Sequence, residues 1–265
     1  MTSAQTKPLA VVTGASTGIG RELAKQFARH GHDLVIAAEN AELDDARREL
    51  TDLGARVLAV RGDLAGYDGV ENLVAALASV NRPVAALAVN AGVGVGGAFV
   101  DGSLRDELTV IHLNVTSAVH LTRRLLPAMV EQAAGRVLFT SSLAAMTPGP
   151  FQAVYNATKA FLASFAEALR DELKDSGVTV TVLMPGPTDT AFFERAGMTD
   201  TKIARGPKDD PADVAEQGFA AMMAGKDKVV AASARNKVQA AAARAVPDPV
   251  KAAVHRRMAE PGSGS

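Results

Sequence analysis

The chain has two tyrosines in 265 residues, Tyr67 and Tyr155, and one of them has the neighbours of a proton donor. Lys159 follows Tyr155 by four positions, so on a helix the two side chains share a face. A free phenol, with a pKa of about 10, is a poor base at neutral pH, and a nearby ammonium lowers that value by favouring phenolate. Ser142 ends an apolar run and can offer its hydroxyl to a substrate oxygen on which charge develops. Ser141 would point elsewhere by strand alternation. Tyr67, between Gly66 and Gly69, reads as surface packing at a turn or helix start. Other chemistries are closed or weak. With no Cys there is no thiolate, disulfide or Cys-ligated metal. The five His (His30, His32, His112, His120, His255) show no metal-ligand pattern, so no metal is expected.

A second element faces an anion. Thr13-Gly14-Ala15-Ser16-Thr17-Gly18-Ile19-Gly20 closes an apolar run and opens a helix. Glycines at this spacing allow a tight turn, close approach of backbone to a pyrophosphate and close helix–strand packing. The helix start adds unpaired N–H groups and the positive end of its dipole.

These residues need a scaffold, and the pattern supplies one. Short apolar runs at Leu9–Thr13, 34–38, 56–60, Val84–Val89, Gly135–Thr140, 178–183 and 228–231 read as strands. Helical runs lie at 19–30, 41–53, 69–80, 104–132 (broken near its start), 153–176 and 211–224. Runs without a polar face suit parallel strands covered on both sides. The reading is an α/β protein: one Rossmann domain over residues 1–265, with a doubly wound parallel sheet of about seven strands. Apolar residues make up 48% and aromatics 4%, so the core rests on aliphatic packing. Residues 190–210 lack a period and read as a substrate loop. Residues 235–258 are Ala-rich and basic, and read as a solvated or subunit-contacting helix pair, with a membrane-surface contact as the alternative.

The ordered set resembles the short-chain dehydrogenase/reductase family, from about Leu9 to Lys228. The loop matches its Thr-Gly-x-x-x-Gly-x-Gly. Asn90-Ala91-Gly92 follows the fourth strand, Asn114 sits in the long helix, Ser142 ends the fifth strand, Tyr155-x-x-x-Lys159 opens the next helix, and Pro185-Gly186 follows the sixth strand with Thr188 and Thr190 downstream. The resemblance implies hydride transfer between a nicotinamide cofactor and a ketone or secondary alcohol. Tyr155 would be general acid in reduction and base in oxidation. Lys159 would lower its pKa and hold the ribose, Ser142 would hold the substrate oxygen, and Asn114 would fix a water linking Lys159 to solvent. The implied cofactor contacts are Gly14, Ser16, Thr17, Gly18, Ile19, Gly20, Glu39, Asp63, Leu64, Asn90, Ala91, Gly92, Tyr155, Lys159, Pro185, Gly186, Thr188 and Thr190, with Asp63 at the adenine amino group.

By the resemblance, the usual NAD-selecting Asp falls at Ala38 and the Arg common in NADP-using members falls at Glu39, so neither stands in place, but the Glu39 carboxylate repels a 2′-phosphate. Ser16 and Thr17 are uncharged as well. NAD(H) is therefore the expected cofactor; Arg21 and Arg61 keep NADP(H) open. The substrate walls (93–99, 143–151, Phe151, Gln152, Phe192, Phe193, Met198) are mostly apolar and suit a hydrophobic ketone or alcohol beside Ser142. The rival readings are an NADPH-dependent 3-oxoacyl-carrier-protein reductase and a non-catalytic nucleotide-sensing protein. A net charge of −1 argues against nucleic acid as a partner. No run reaches the roughly 20 apolar residues of a membrane span, and residues 1–7 lack a signal-peptide layout; the expected location is the cytoplasm. The resemblance implies a homodimer or homotetramer packed through the helices at 104–132 and 153–176.

Overall fold

Strands β1 (Leu9–Thr13) and β2 (Asp33–Ala38) are buried at every position, which is why both read as unbroken apolar runs. The computed structural model describes residues 7–231, 233, 236, 240 and 246–264. Five more strands, β3 (Val57–Arg61), β4 (Val84–Val89), β5 (Gly135–Thr140), β6 (Val178–Met184) and β7 (Lys228–Val230), complete a parallel seven-stranded sheet in the order β3-β2-β1-β4-β5-β6-β7. The edge strands β3 and β7 keep positions open to solvent.

Alternation along each strand feeds two cores. On one face Val12, Ile36 and Leu138 pack against helices α1 (Gly18–Arg29) and α2 (Glu42–Asp52). On the other, Val11, Val35 and Phe139 pack against α3 (Tyr67–Val80). Helix α4 (Leu104–Ile111) passes through a π turn, His112–Thr116, into α5 (Ser117–Glu131), so the irregularity expected near the start of this long helix is a widened turn rather than a break. Helix α6 (Ala153–Glu172) joins α5 on that second face. Residues 190–210 are more ordered than their lack of period suggests. They form short helices α7 (Phe192–Arg195) and α8 (Lys202–Arg205), and α9 (Pro211–Met223) then returns to the first face beside α1. Of the basic stretch at 235–258, residues 236, 240 and 246–258 are described, and the last run leads into or forms α10 (Asp248–Ala259). Residues 235, 237–239 and 241–245 lie outside the described residues.

The chain crosses from one half of the sheet to the other between β1 and β4, and ligands bind at such a switch point, beyond the carboxyl ends of the strands. Polar bonds brace that end. Thr13 Oγ1 accepts from the Asn90 and Ala91 amides at 3.0 Å each, Asn90 Nδ2 donates to Thr13 O at 3.1 Å, and Thr140 Oγ1 donates to Asn90 Oδ1 at 3.0 Å. Asn90 thereby ties β1, β4 and β5 at one level. At the opposite end of β2, the buried Asp33 carboxylate accepts from Arg56 Nη2 and Arg82 Nη1 at 2.7 Å each.

Candidate active site

The glycine loop folds as its spacing requires. Gly18 has φ +55°, a conformation that side chains disfavour. Gly20 faces the loop itself: a Cβ there would lie 2.1 Å from the Gly14 carbonyl oxygen and 2.4 Å from Asn90 Nδ2. Thr17 precedes α1 without capping it through its side chain, which leaves the helix start facing the cleft. The cleft runs from this loop past Glu39, Asp63 and Leu64 at one end to Ser142 and Tyr155 at the other, and every residue of the expected cofactor set lines it.

Ser142 and Ser141 diverge as strand alternation demands. The Ser141 hydroxyl is buried and donates to the Lys159 carbonyl at 2.7 Å, anchoring α6 to the end of β5. Ser142 faces the cleft; its Oγ accepts from the Ala144 amide at 3.1 Å and sits 3.4 Å from the Pro185 carbonyl. Tyr155 and Lys159, one turn apart on α6, line the same cleft, with the ammonium 5.8 Å from the centre of the phenol ring. Lys159 is buried, and its Nζ donates to Thr140 O at 2.9 Å, its one acceptor among the described residues. The remaining N–H groups suit hydroxyl oxygens of a sugar. With the crowded glycine turn and the uncapped helix, this donor set fits a dinucleotide.

The electrostatics differ from the sequence-based expectation. Burial pushes the Tyr155 phenol up to about 12, and the Ser142 hydroxyl pulls it back only in part. Burial also draws Lys159 down to about 8. Desolvation of the phenolate is thus the larger effect, and the protein's own groups leave the phenol protonated at neutral pH. At neutral pH the pair is a protonated phenol beside a charged amine, which is a proton donor.

Asn114 does not line the cleft. It is fully buried in the π turn, where Oδ1 accepts from the Val93 amide and Nδ2 donates to Val93 O, both at 2.9 Å, and to Thr158 Oγ1 at 3.0 Å. Its side chain clamps the loop after β4 onto α6, next to Lys159, and both Nδ2 hydrogens go to protein.

Of the expected substrate residues, Gln152, Phe192 and Phe193 line the cleft, and the Phe192 ring lies 5.0 Å from that of Tyr155. Phe151 does not line it. Its backbone has φ +65°, and its ring sits under the Arg256 guanidinium at 5.1 Å. Helix α10 thus covers the 146–151 wall, and it brings His255 into the cleft lining; Arg195 of α7 lines it too. Neither was placed at the cleft from the sequence, because the segments that carry them, 190–210 for Arg195 and the Ala-rich basic stretch for His255, have no apolar period to orient them. Tyr67 opens α3, largely exposed, with its ring 4.6 Å from His120, which in turn bonds Glu71 at 2.7 Å. Among the described residues, no group of three or more His, Cys, Asp or Glu is placed to hold a metal, and no helix is long and apolar enough to cross a membrane.

The family model described as short chain dehydrogenase matches residues 8–200. A ketoacyl reductase, HetN, of Nostoc sp. is 31% identical over 196 residues, covering 73% of this chain and 67% of that protein. A short-chain dehydrogenase of Sphingobium yanoikuyae, solved in complex with NADPH, superposes with a TM-score of 0.79 at 28% identity, over 90% of this chain and 94% of that one. A short-chain dehydrogenase/reductase of Burkholderia phymatum in complex with NAD gives 0.81 at 27% identity, over 90% and 92%.

Proposed function

The chain belongs to the short-chain dehydrogenase family of NAD(P)-linked oxidoreductases, and from that premise we propose that it interconverts a secondary alcohol and its ketone using NAD(H). The observation that carries this reading is the convergence of Ser142, Tyr155 and Lys159 on the cleft opened by the glycine loop. When bound, the nicotinamide supplies the hydride to the carbonyl carbon, or takes it from the carbinol. The Ser142 hydroxyl holds the substrate oxygen and stabilises its developing charge. The Tyr155 phenol gives its proton to that oxygen in reduction and recovers one in oxidation. Lys159, charged at neutral pH, lies close enough to offset the phenolate that remains and has donors left for the ribose hydroxyls. Asn114 keeps the loop after β4 and α6 in register.

The NAD preference is supported by what surrounds the adenosine end. Glu39 is exposed at the cleft, and Arg21, which could meet a 2′-phosphate, is held by Glu49 at 2.7 Å. Arg61 donates through Nε to the Glu39 carbonyl at 3.1 Å. A second reading, reduction of a 3-oxoacyl thioester with NADPH, draws on the ketoacyl reductase relative; Glu39 opposes it. For partners, exposed Leu104, Leu108 and Phe161 on α4 and α6 suit a second copy of the chain. A panel of alkyl ketones, secondary alcohols and oxoacyl thioesters, assayed with both cofactors by absorbance of the reduced nicotinamide, tests the reading. Turnover of ketones with NADH is expected. Turnover of the thioesters alone, with NADPH, selects the second reading, and no turnover of any member overturns both.

A further inference from the structure

Helix α10 presents one face to the substrate end of the cleft. Lys251, His255 and Ala259 recur at four-residue spacing and so share that face. Lys251 Nζ reaches the Met146 carbonyl at 3.3 Å, and Ala259 joins the apolar cluster of Phe193, Met198 and Ala204. His255 lies between them and lines the cleft, with a buried Nε2 that has no hydrogen-bond partner. The helix is held from its far end as well: beyond it, the Gly264 amide donates to Asp200 O at 2.8 Å and Arg205 Nη1 donates to Gly264 O at 2.8 Å. His255 is therefore carried by an anchored element.

A second polar group faces the same region. Arg195 lies one turn beyond Phe192, the residue packed on Tyr155, and it lines the cleft with no ion pair among the described residues. The acidic residues lining the cleft, Glu39 and Asp63, belong to its adenosine end. The substrate end thus combines apolar walls, an exposed guanidinium at the rim with no ion pair among the described residues, and one buried imidazole nitrogen without a partner. An unpartnered buried polar atom is costly, and an enclosed site that keeps one discriminates in favour of a ligand that pairs it.

We propose that His255 and Arg195 form a recognition subsite for a carboxylate carried by the substrate beyond its reacting carbon. The substrate class is then an oxo acid or hydroxy acid with an apolar spacer, which refines the alcohol and ketone reading above and rests on it. Arg195 supplies the charge and His255 Nε2–H a directed donor. Burial holds His255 below the usual imidazole range, so the donor is the neutral ring. A bound carboxylate would raise its proton affinity.

The probes are levulinate and its methyl ester, which share a ketone and differ in the charge. In the wild type, kcat/KM with NADH is expected to favour levulinate by about tenfold or more. His255→Phe keeps a ring on the cleft face of α10, and Arg195→Gln keeps an amide donor; each should bring the ratio close to unity. Equal use of the two probes by the wild type, or a preference that survives in both variants, overturns the proposal. Melting temperature gives a readout independent of turnover: levulinate should raise it more than the ester, and the difference should vanish in both variants. If neither probe is turned over, that difference decides the subsite, while the wider ketone panel decides the reaction.

Discussion

In the proposed mechanism Tyr155 is the proton donor; the chain's other phenol, Tyr67, is largely exposed and stacks on His120. Tyr155→Phe should lower kcat by about 10²–10⁴-fold, the usual weight of general acid–base catalysis. Cofactor affinity, followed by quenching of protein-bound reduced nicotinamide fluorescence, should stay within a few-fold. Full activity in this variant would remove the mechanism. In the proposed cofactor reading, Glu39 sets the preference at the other end of the cleft. Glu39→Arg should move the ratio of kcat/KM for NADH over NADPH downward by tenfold or more, by exchanging repulsion of a 2′-phosphate for attraction; a wild type that already prefers NADPH would contradict the cofactor reading. That the glycine loop, Ser142, Tyr155 and Lys159 share one cleft was legible because short, fixed local spacings carry them. Phe151 and His255 were not. Phe151 sits in a left-handed backbone turn that apolar character does not announce, and His255 depends on how α10 docks, a long-range fact absent from any window of sequence.

Elements position these residues, and Asn114 shows how. Asn114 lies in the π turn, and its amide side chain pairs both backbone groups of Val93 and Thr158 Oγ1. Asn114→Ala leaves the Val93 amide and carbonyl without those partners in a half-buried loop. The expected cost is about 1–3 kcal/mol of stability, seen as a lower denaturation midpoint and faster hydrogen exchange at the Val93 amide. Unchanged exchange there would mean that the clamp is not what orders the loop. A helix of this length with an irregular point was readable from its apolar periodicity. The kind of irregularity was not, since a π turn conserves the apolar stripe and differs by a single extra residue. The segment 190–210 illustrates the converse. It has no period because its apolar residues, Phe193, Met198 and Ala204, pack on α10 rather than on the sheet.

At the scale of the whole molecule, strand–helix alternation made the doubly wound sheet legible, because parallel strands covered on both faces leave a signature at every crossing. What sequence could not show was the surface left over. Leu104 is 72% exposed, and Leu108 and Phe161 are each 40% exposed, so the chain should elute with the light-scattering mass of a dimer or tetramer; a monomer would remove that reading. The dependence of stability on pH follows from three groups: Asp33 and Lys159, which add stability as pH rises, and Tyr155, which removes it. Burial alone would raise the Asp33 carboxyl, but hydrogen bonds from Arg56 and Arg82 outweigh it and hold it below the usual range. Its contribution is full above the unfolded value and is lost as pH falls through the folded one, so it marks the acid limb below about pH 4. Lys159 acts at the other limb. Its folded value of about 8 lies below an unfolded value of about 10.4, so between them the unfolded chain binds the proton and the folded chain has released it. More protons on the unfolded state means stability that rises with pH, by at most about 1.4 kcal/mol per unit. Above about pH 10 the sign reverses through Tyr155, whose phenol ionises earlier in the unfolded chain than at its folded value of about 12. Urea denaturation between pH 7.5 and about 10 should therefore show the wild type gaining stability relative to Lys159→Met as pH rises. A constant difference across that window would mean that Lys159 keeps its proton in the folded protein, and with it a charge that the cleft, rather than solvent, stabilises.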